Sequence, residues 1–93
     1  MPGVVRISDL CSGHDCFCRR CSGTSSEDTF TNNIKTTRFQ DTRVVHGCSR
    51  GSHGGSNVGV HNVMVNNRYI QTCGDQVDCG SIQDQCSNNV IVN

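Results

Sequence analysis

His46, Cys48 and His53 fall within eight residues of one another in the stretch "DTRVVHGCSRGSHGG", residues 41–55. Imidazole and thiolate are the side chains that hold zinc at tetrahedral sites. The surrounding stretch is too rich in Gly and Ser to build a core, so a bound metal would supply order that the loop lacks. Further soft ligands stand elsewhere: His14, Cys79, and the group Cys11, Cys16, Cys18 and Cys21. His14 and His46 each follow an aspartate by five residues, Asp9 and Asp41, and Cys79 follows Asp75 by four. A ligand recurring at one place behind one residue type calls for a repeated element to carry it.

Aligned on the aspartates, "TFTNNIKTTRFQDTRVVHG" and "VMVNNRYIQTCGDQVDCG" form two internal units, with Asn32 and Asn66 each nine residues before the Asp. The third unit is divided between the chain ends: "NNVIVN" supplies its first half and "RISDLCSGH" its second. No stretch carries helical apolar spacing. Short β-branched runs ("GVVRI", "TFTNNI", "VMVNNRYI", "VIVN") recur instead, separated by Asn and Gly that suit hairpin turns. The expected fold is all-β and pseudo-threefold, with few or no helices, and residues 1–93 form a single domain. Such an axis draws His14, His46 and Cys79 together, and His53 can swing in from its loop as the fourth ligand. Three His and one Cys suit structural zinc, and iron(II) is accommodated by the same donors.

Composition explains why a staple is needed. The 93 residues are 33% hydrophobic, with three Phe, one Tyr and no Trp, which makes a thin core for a domain already small. The 8 basic and 8 acidic residues cancel, which argues against nucleic acid as a partner. No apolar run is long enough to span a bilayer. The start lacks the charged-then-apolar pattern of a secretory leader, so synthesis in a reducing cytosol is expected. There the eight cysteines read as metal ligands more readily than as disulfides.

The stretches "RISD" with His14, "RFQDTRVVHGC", "SHGGSNVGVHNVMVNN", "TCGDQVDCG" and "SNNVIVN" resemble the PAAR-repeat family. The likeness covers most of the chain but leaves out a Cys-rich insertion at 15–26. Pro-Ala-Ala-Arg itself is absent; "NNIKTTRFQD" and "NNRYIQTCGD" stand in its place. The resemblance implies a small β cone with zinc near its apex, held by three His and one Cys. Carried over by position, these are His14, His46, His53 and Cys79. It also implies a base that plugs the end of a trimeric β-helical spike, as on phage tail spikes and the VgrG spikes of type VI secretion.

The expected function is therefore a metal-stabilised tip that sharpens a spike for puncturing a target envelope. One chain would serve each spike trimer, touching the target membrane transiently and forming no homo-oligomer. Its place would be the tail baseplate of a virion, after synthesis in the host cytoplasm. The alternative is a bacterial cytoplasm followed by type VI secretion. A chain of 93 residues leaves little room for a fused toxin, which favours the baseplate. Segments 29–32, 63–66 and 90–93 are the expected base, with Phe30, Met64 and Ile91 as contacts. A zinc hydrolase is disfavoured because four protein ligands leave no position for water and no general base accompanies them. A small zinc-binding module lacks a basic or aromatic platform.

The remaining residues carry smaller expectations. Cys11, Cys16, Cys18 and Cys21 are dense enough for a second metal site or a disulfide cluster. Cys48 reads as a neighbour of the site rather than a ligand. Cys73 and Cys86 read as small buried residues, and His61 as a solvated turn residue. Asp9, Asp41 and Asp75 are expected to close turns, with Arg6 and Arg38 pairing locally.

Overall fold

A computed structural model describes residues 2–13, 17–48 and 51–92, with His53 described by its backbone alone. Three two-stranded antiparallel sheets are present: β1 (Phe30–Thr31) with β2 (Ile34–Lys35), β3 (Thr42–Cys48) with β4 (Gly51–Ser56), and β5 (Met64–Val65) with β6 (Arg68–Tyr69). No helix occurs among the described residues. The β1–β2 and β5–β6 hairpins turn on Asn-Asn pairs. Their φ angles are 53° and 65° at Asn32 and Asn33, and 52° and 64° at Asn66 and Asn67. Tight two-residue hairpins need positive φ at both positions, which asparagine tolerates best after glycine.

The third unit is recognised by a pairing between segments far apart in sequence. Ile91 pairs with Gly3 where Phe30 pairs with Lys35 and Met64 with Tyr69, so the two chain ends complete the unit. The three units then close on one another in a ring of bridges: Val4 to Thr72, Thr36 to Arg6, and Ile70 to Arg38. Main-chain bonds repeat with the same symmetry. The N–H groups of Ile7, Phe39 and Cys73 donate to the carbonyls of Lys35, Tyr69 and Gly3 at 2.8, 2.7 and 3.0 Å. A second ring follows: Ser22 to Arg43, Asn57 to Val77, and Gln83 to Cys11. The pseudo-threefold arrangement read from the repeats is the one the backbone adopts.

Apolar packing alone is small. Val4, Val65 and Ile70 form one cluster with Val92 against it. Much of the interior is polar and bonded: Thr37 Oγ1 donates to the Val5 carbonyl at 3.0 Å, and Gln83 Nε2 donates to Gln71 Oε1 at 2.7 Å. Buried polar groups of this kind are tolerated because most find a partner, and they specify one packing; the buried Gln83 Oε1 has none among the described residues.

Each aspartate closes its turn as expected. Asp9, Asp41 and Asp75 accept the main-chain N–H three residues earlier, from Arg6, Arg38 and Thr72, at 2.9, 2.6 and 2.8 Å. Arg6 and Arg38 also grip their aspartates through two guanidinium nitrogens each. In the remaining unit Thr72 occupies the arginine position. His61 supplies the donor instead, its Nε2 2.6 Å from Asp75 Oδ2. His61 is thus half-buried and paired, not solvated. Its partner lies fourteen residues away, beyond what local spacing reveals.

The cysteine reading also needs correction. Cys73 and Cys86 are joined in a disulfide, with Cα atoms 5.8 Å apart, rather than being separate small core residues. Only the closed ring brings the segment after Asp84 against the second unit. Gly3 leaves room for this bridge, since a side chain there would collide with the Ser87 carbonyl and press on the Cys86 sulfur. The equivalent seam between the first two units is filled by Phe39 against Tyr69, ring centroids 5.5 Å apart and edge-on.

Candidate metal centre

The β3–β4 hairpin carries two of the four expected ligands, and its register makes them neighbours. His46 pairs directly with His53 across the ladder. Between Arg43 and His46 the register shifts, three steps on β3 against two on β4. This bulge has a consequence for side chains. Residues three apart on a regular strand face opposite ways, but the extra residue turns both Arg43 and His46 inward. Both are buried, while Val44 and Val45 between them are exposed.

His46 is held on two sides by the segment before it in sequence. Its Nδ1 lies 2.8 Å from the Cys18 carbonyl oxygen. A carbonyl only accepts, so Nδ1 carries a proton, which in the neutral ring leaves the lone pair on Nε2, the tautomer of an imidazole that ligates a metal through Nε2. Phe17 stacks on the ring with centroids 5.0 Å apart and planes 29° from parallel.

Cys79 is reached by the same segment. Arg20, buried, donates from Nη2 to Cys79 Sγ at 2.8 Å and from Nη1 to the Val44 carbonyl at 2.9 Å. Ser81 Oγ lies 3.8 Å from the same sulfur. Gly55, two residues along β4 from His53, permits this approach: a Cβ there would press on Arg20 Nη2 and Val77. The guanidinium therefore ties the hairpin to the turn that carries Cys79.

His14 lies outside the described residues, as does the His53 side chain. Among the described residues no group of three or more His, Cys, Asp or Glu is placed to hold a metal. The two expected ligands whose side chains are described have the chemistry a zinc or iron(II) centre requires. His46 has its second nitrogen fixed by a carbonyl, and Cys79 has its sulfur supported by a hydrogen-bond donor.

Cys11 and the cysteines of the insertion are spread in depth. Cys11 is a buried free thiol, Cys21 a half-buried one and Cys18 an exposed one; Cys16 lies outside the described residues. Cys48 is disulfide-bonded, more than the bystander its position beside His46 suggests. Cys11 sits on the second ring near Arg43. Burial pushes its thiol up, but hydrogen bonds from the Gly13 and Arg20 backbones and from Ser81, with the Arg43 charge, carry it below the usual range. Burial also pulls the Arg43 guanidinium below its ordinary value. Arg43 donates from Nε to Asn57 Oδ1 at 3.0 Å and from Nη1 to the Asp9 carbonyl at 2.9 Å. Arg20 and Arg43 are the functional surprises here. Arginine is an exposed residue by default; the pair "RR" at 19–20, inside a cysteine cluster, is a hint for Arg20, and nothing local marks Arg43.

At the other sheets, Phe30, Met64 and Ile91 are exposed to nearly the same degree, 54%, 53% and 47%. They occupy the same place in the three units, beside the half-exposed Val63 and Val90. No family model matches the chain, and no curated protein matches it.

Proposed function

We propose that the protein is a metal-stabilised tip that caps a trimeric β-helical spike and sharpens it for puncturing a target envelope. One observation carries the reading. A single chain presents Phe30, Met64 and Ile91 outward from three equivalent strands of a closed ring. Large apolar side chains repeated at threefold positions suit a partner that is itself threefold. The end of a trimeric β-helix offers such a face, with open strand edges that proteins tend to cover.

His14, His46, His53 and Cys79 would hold zinc, or iron(II), at the end carrying the β3–β4 hairpin. There the bound ion would crosslink segments whose apolar packing is thin. The role is structural rather than enzymatic, and contact with the target membrane is transient. The PAAR-like repeats support a seat on a phage tail baseplate, with a VgrG-type spike of type VI secretion as the alternative.

Titrating the purified protein into a trimeric phage or VgrG-type spike, followed by mass measurement of the complex, tests the reading. One chain per trimer is expected, and Met64→Asp with Ile91→Asp should abolish the complex without loss of fold. Three chains per trimer, or no association with either spike type, overturns it.

A further inference from the structure

We propose that the segment 17–21, within the insertion that the PAAR likeness leaves uncovered, is an outer bracket that positions the metal ligands, with Arg20 as its principal positioning residue. The inference rests on the metal-centre reading above. Three contacts carry it, and all come from one short stretch. The Cys18 carbonyl fixes the tautomer and tilt of His46, Phe17 stacks on the same ring, and Arg20 donates to Cys79 Sγ. Arg20 also donates to the Val44 carbonyl, two residues before His46 on the same strand. Its planar fork thus spans the strand of one ligand and the sulfur of another, which the point charge of lysine cannot do.

The insertion accordingly serves the centre without supplying a ligand from these contacts. An N–H···S bond draws electron density from the sulfur and lowers its lone-pair energy. It softens the charge a thiolate places on the ion while holding the sulfur in one orientation. Partners of this kind change metal affinity by about 10–100-fold when removed.

Cobalt(II) is the probe, because a thiolate bound to it gives a sulfur-to-metal charge-transfer band that reports on that sulfur. The wild-type chain, Arg20→Gln, Phe17→Leu and Arg38→Gln would each be titrated with cobalt(II). The wild type should bind one ion. Arg20→Gln should move the charge-transfer band to lower energy and weaken binding by about tenfold. Phe17→Leu should weaken binding with the charge-transfer band in place, because it frees the imidazole and not the sulfur. Arg38→Gln, on the first ring, should leave both readouts as in the wild type. If Arg20→Gln does not fold, the half-buried Phe17 site decides alone. No cobalt uptake by the wild type overturns the metal reading and the bracket with it. Uptake by the wild type with unchanged band and affinity in the folded variants leaves the metal reading standing and overturns the bracket.

Discussion

Two of the aspartate turns are closed by an arginine from the same turn, and the third by a histidine from a different strand segment. Arg6 and Arg38 each lie three residues before their aspartates, whereas His61 comes from fourteen residues before Asp75. The main-chain N–H bond to the carboxylate is the same in all three, although the residue before the aspartate has positive φ only at Gln40 and Gly74. The turn therefore requires a carboxylate bonded to its own main chain and a side-chain donor on the same carboxylate. It does not require that donor to be arginine, or to come from the same place in the repeat.

Removing the carboxylates should separate the turns most clearly. Asp41 is fully buried and accepts from the Arg38 main chain and guanidinium, from Thr24 and from Arg68. Asp41→Ala leaves several donors and a largely buried guanidinium without an anion, so a loss of about 3–5 kcal/mol is expected in denaturant unfolding. A loss below ~1 kcal/mol would show that the turn holds without its carboxylate.

Asp75→Ala should cost less, about 1–3 kcal/mol, because its partners are the Thr72 amide and hydroxyl and one imidazole. Equal losses at the two sites, measured in the same denaturant, would erase the distinction between arginine-closed and histidine-closed turns.

A transplant sharpens the comparison further. His61→Ala should destabilise by about 1 kcal/mol, and adding Thr72→Arg to it should recover most of that. The added arginine takes the place that Arg38 holds in its own unit. No recovery would mean that the third turn has diverged in backbone as well as in side chain.

The smallest effect concerns the carboxylate beside the first of these turns. Hydrogen bonds from Asn66 and Ser26 hold the exposed Asp28 carboxyl below the usual range. With its folded pKa depressed, Asp28 contributes above the ordinary carboxylate pKa and loses that contribution as pH falls through the folded value. Following its side chain by NMR should give a low midpoint that rises toward the ordinary one in Asn66→Ala. An unmoved midpoint would assign the depression to the Ser26 and Thr29 hydroxyls and the Asp28 main chain instead.

The parts of the molecule legible in the sequence are those written locally. An Asn-Asn turn and an aspartate nine residues after it are short-range signals, and two copies in phase, with a third divided between the two ends of the sequence, announce the ring. His46 was legible for the same reason. The bulge that turns it inward was not, because "TRVVHGC" alternates no differently from a plain strand. The Cys73–Cys86 bridge and the His61–Asp75 pair join segments that meet only when the ring closes, and spacing along the chain carries no trace of them. Arg20 and Arg43 escaped for an energetic reason. A buried guanidinium is costly unless its donors are directed at acceptors, and the carbonyls and sulfur that receive most of these donors come from three separate stretches, with Arg43 Nη2 left without a hydrogen-bond partner among the described residues.

The pairing of Gly3 with Ile91 sets the phase of the polypeptide within its own symmetry. Every unit has one place where a strand reverses, at Asn32–Asn33, at Asn66–Asn67, and where residues 91 and 3 lie side by side. The first two are Asn-Asn turns and the third is a pairing of residues 3 and 91, yet the bridges around the ring do not distinguish them. A circular permutant opened between Asn32 and Asn33, with an Asn-Gly link joining the strands of Gly3 and Ile91, would therefore keep every pairing of both rings. Chain order is exchangeable in such a molecule, and what the sequence must preserve is the cyclic order of its three units.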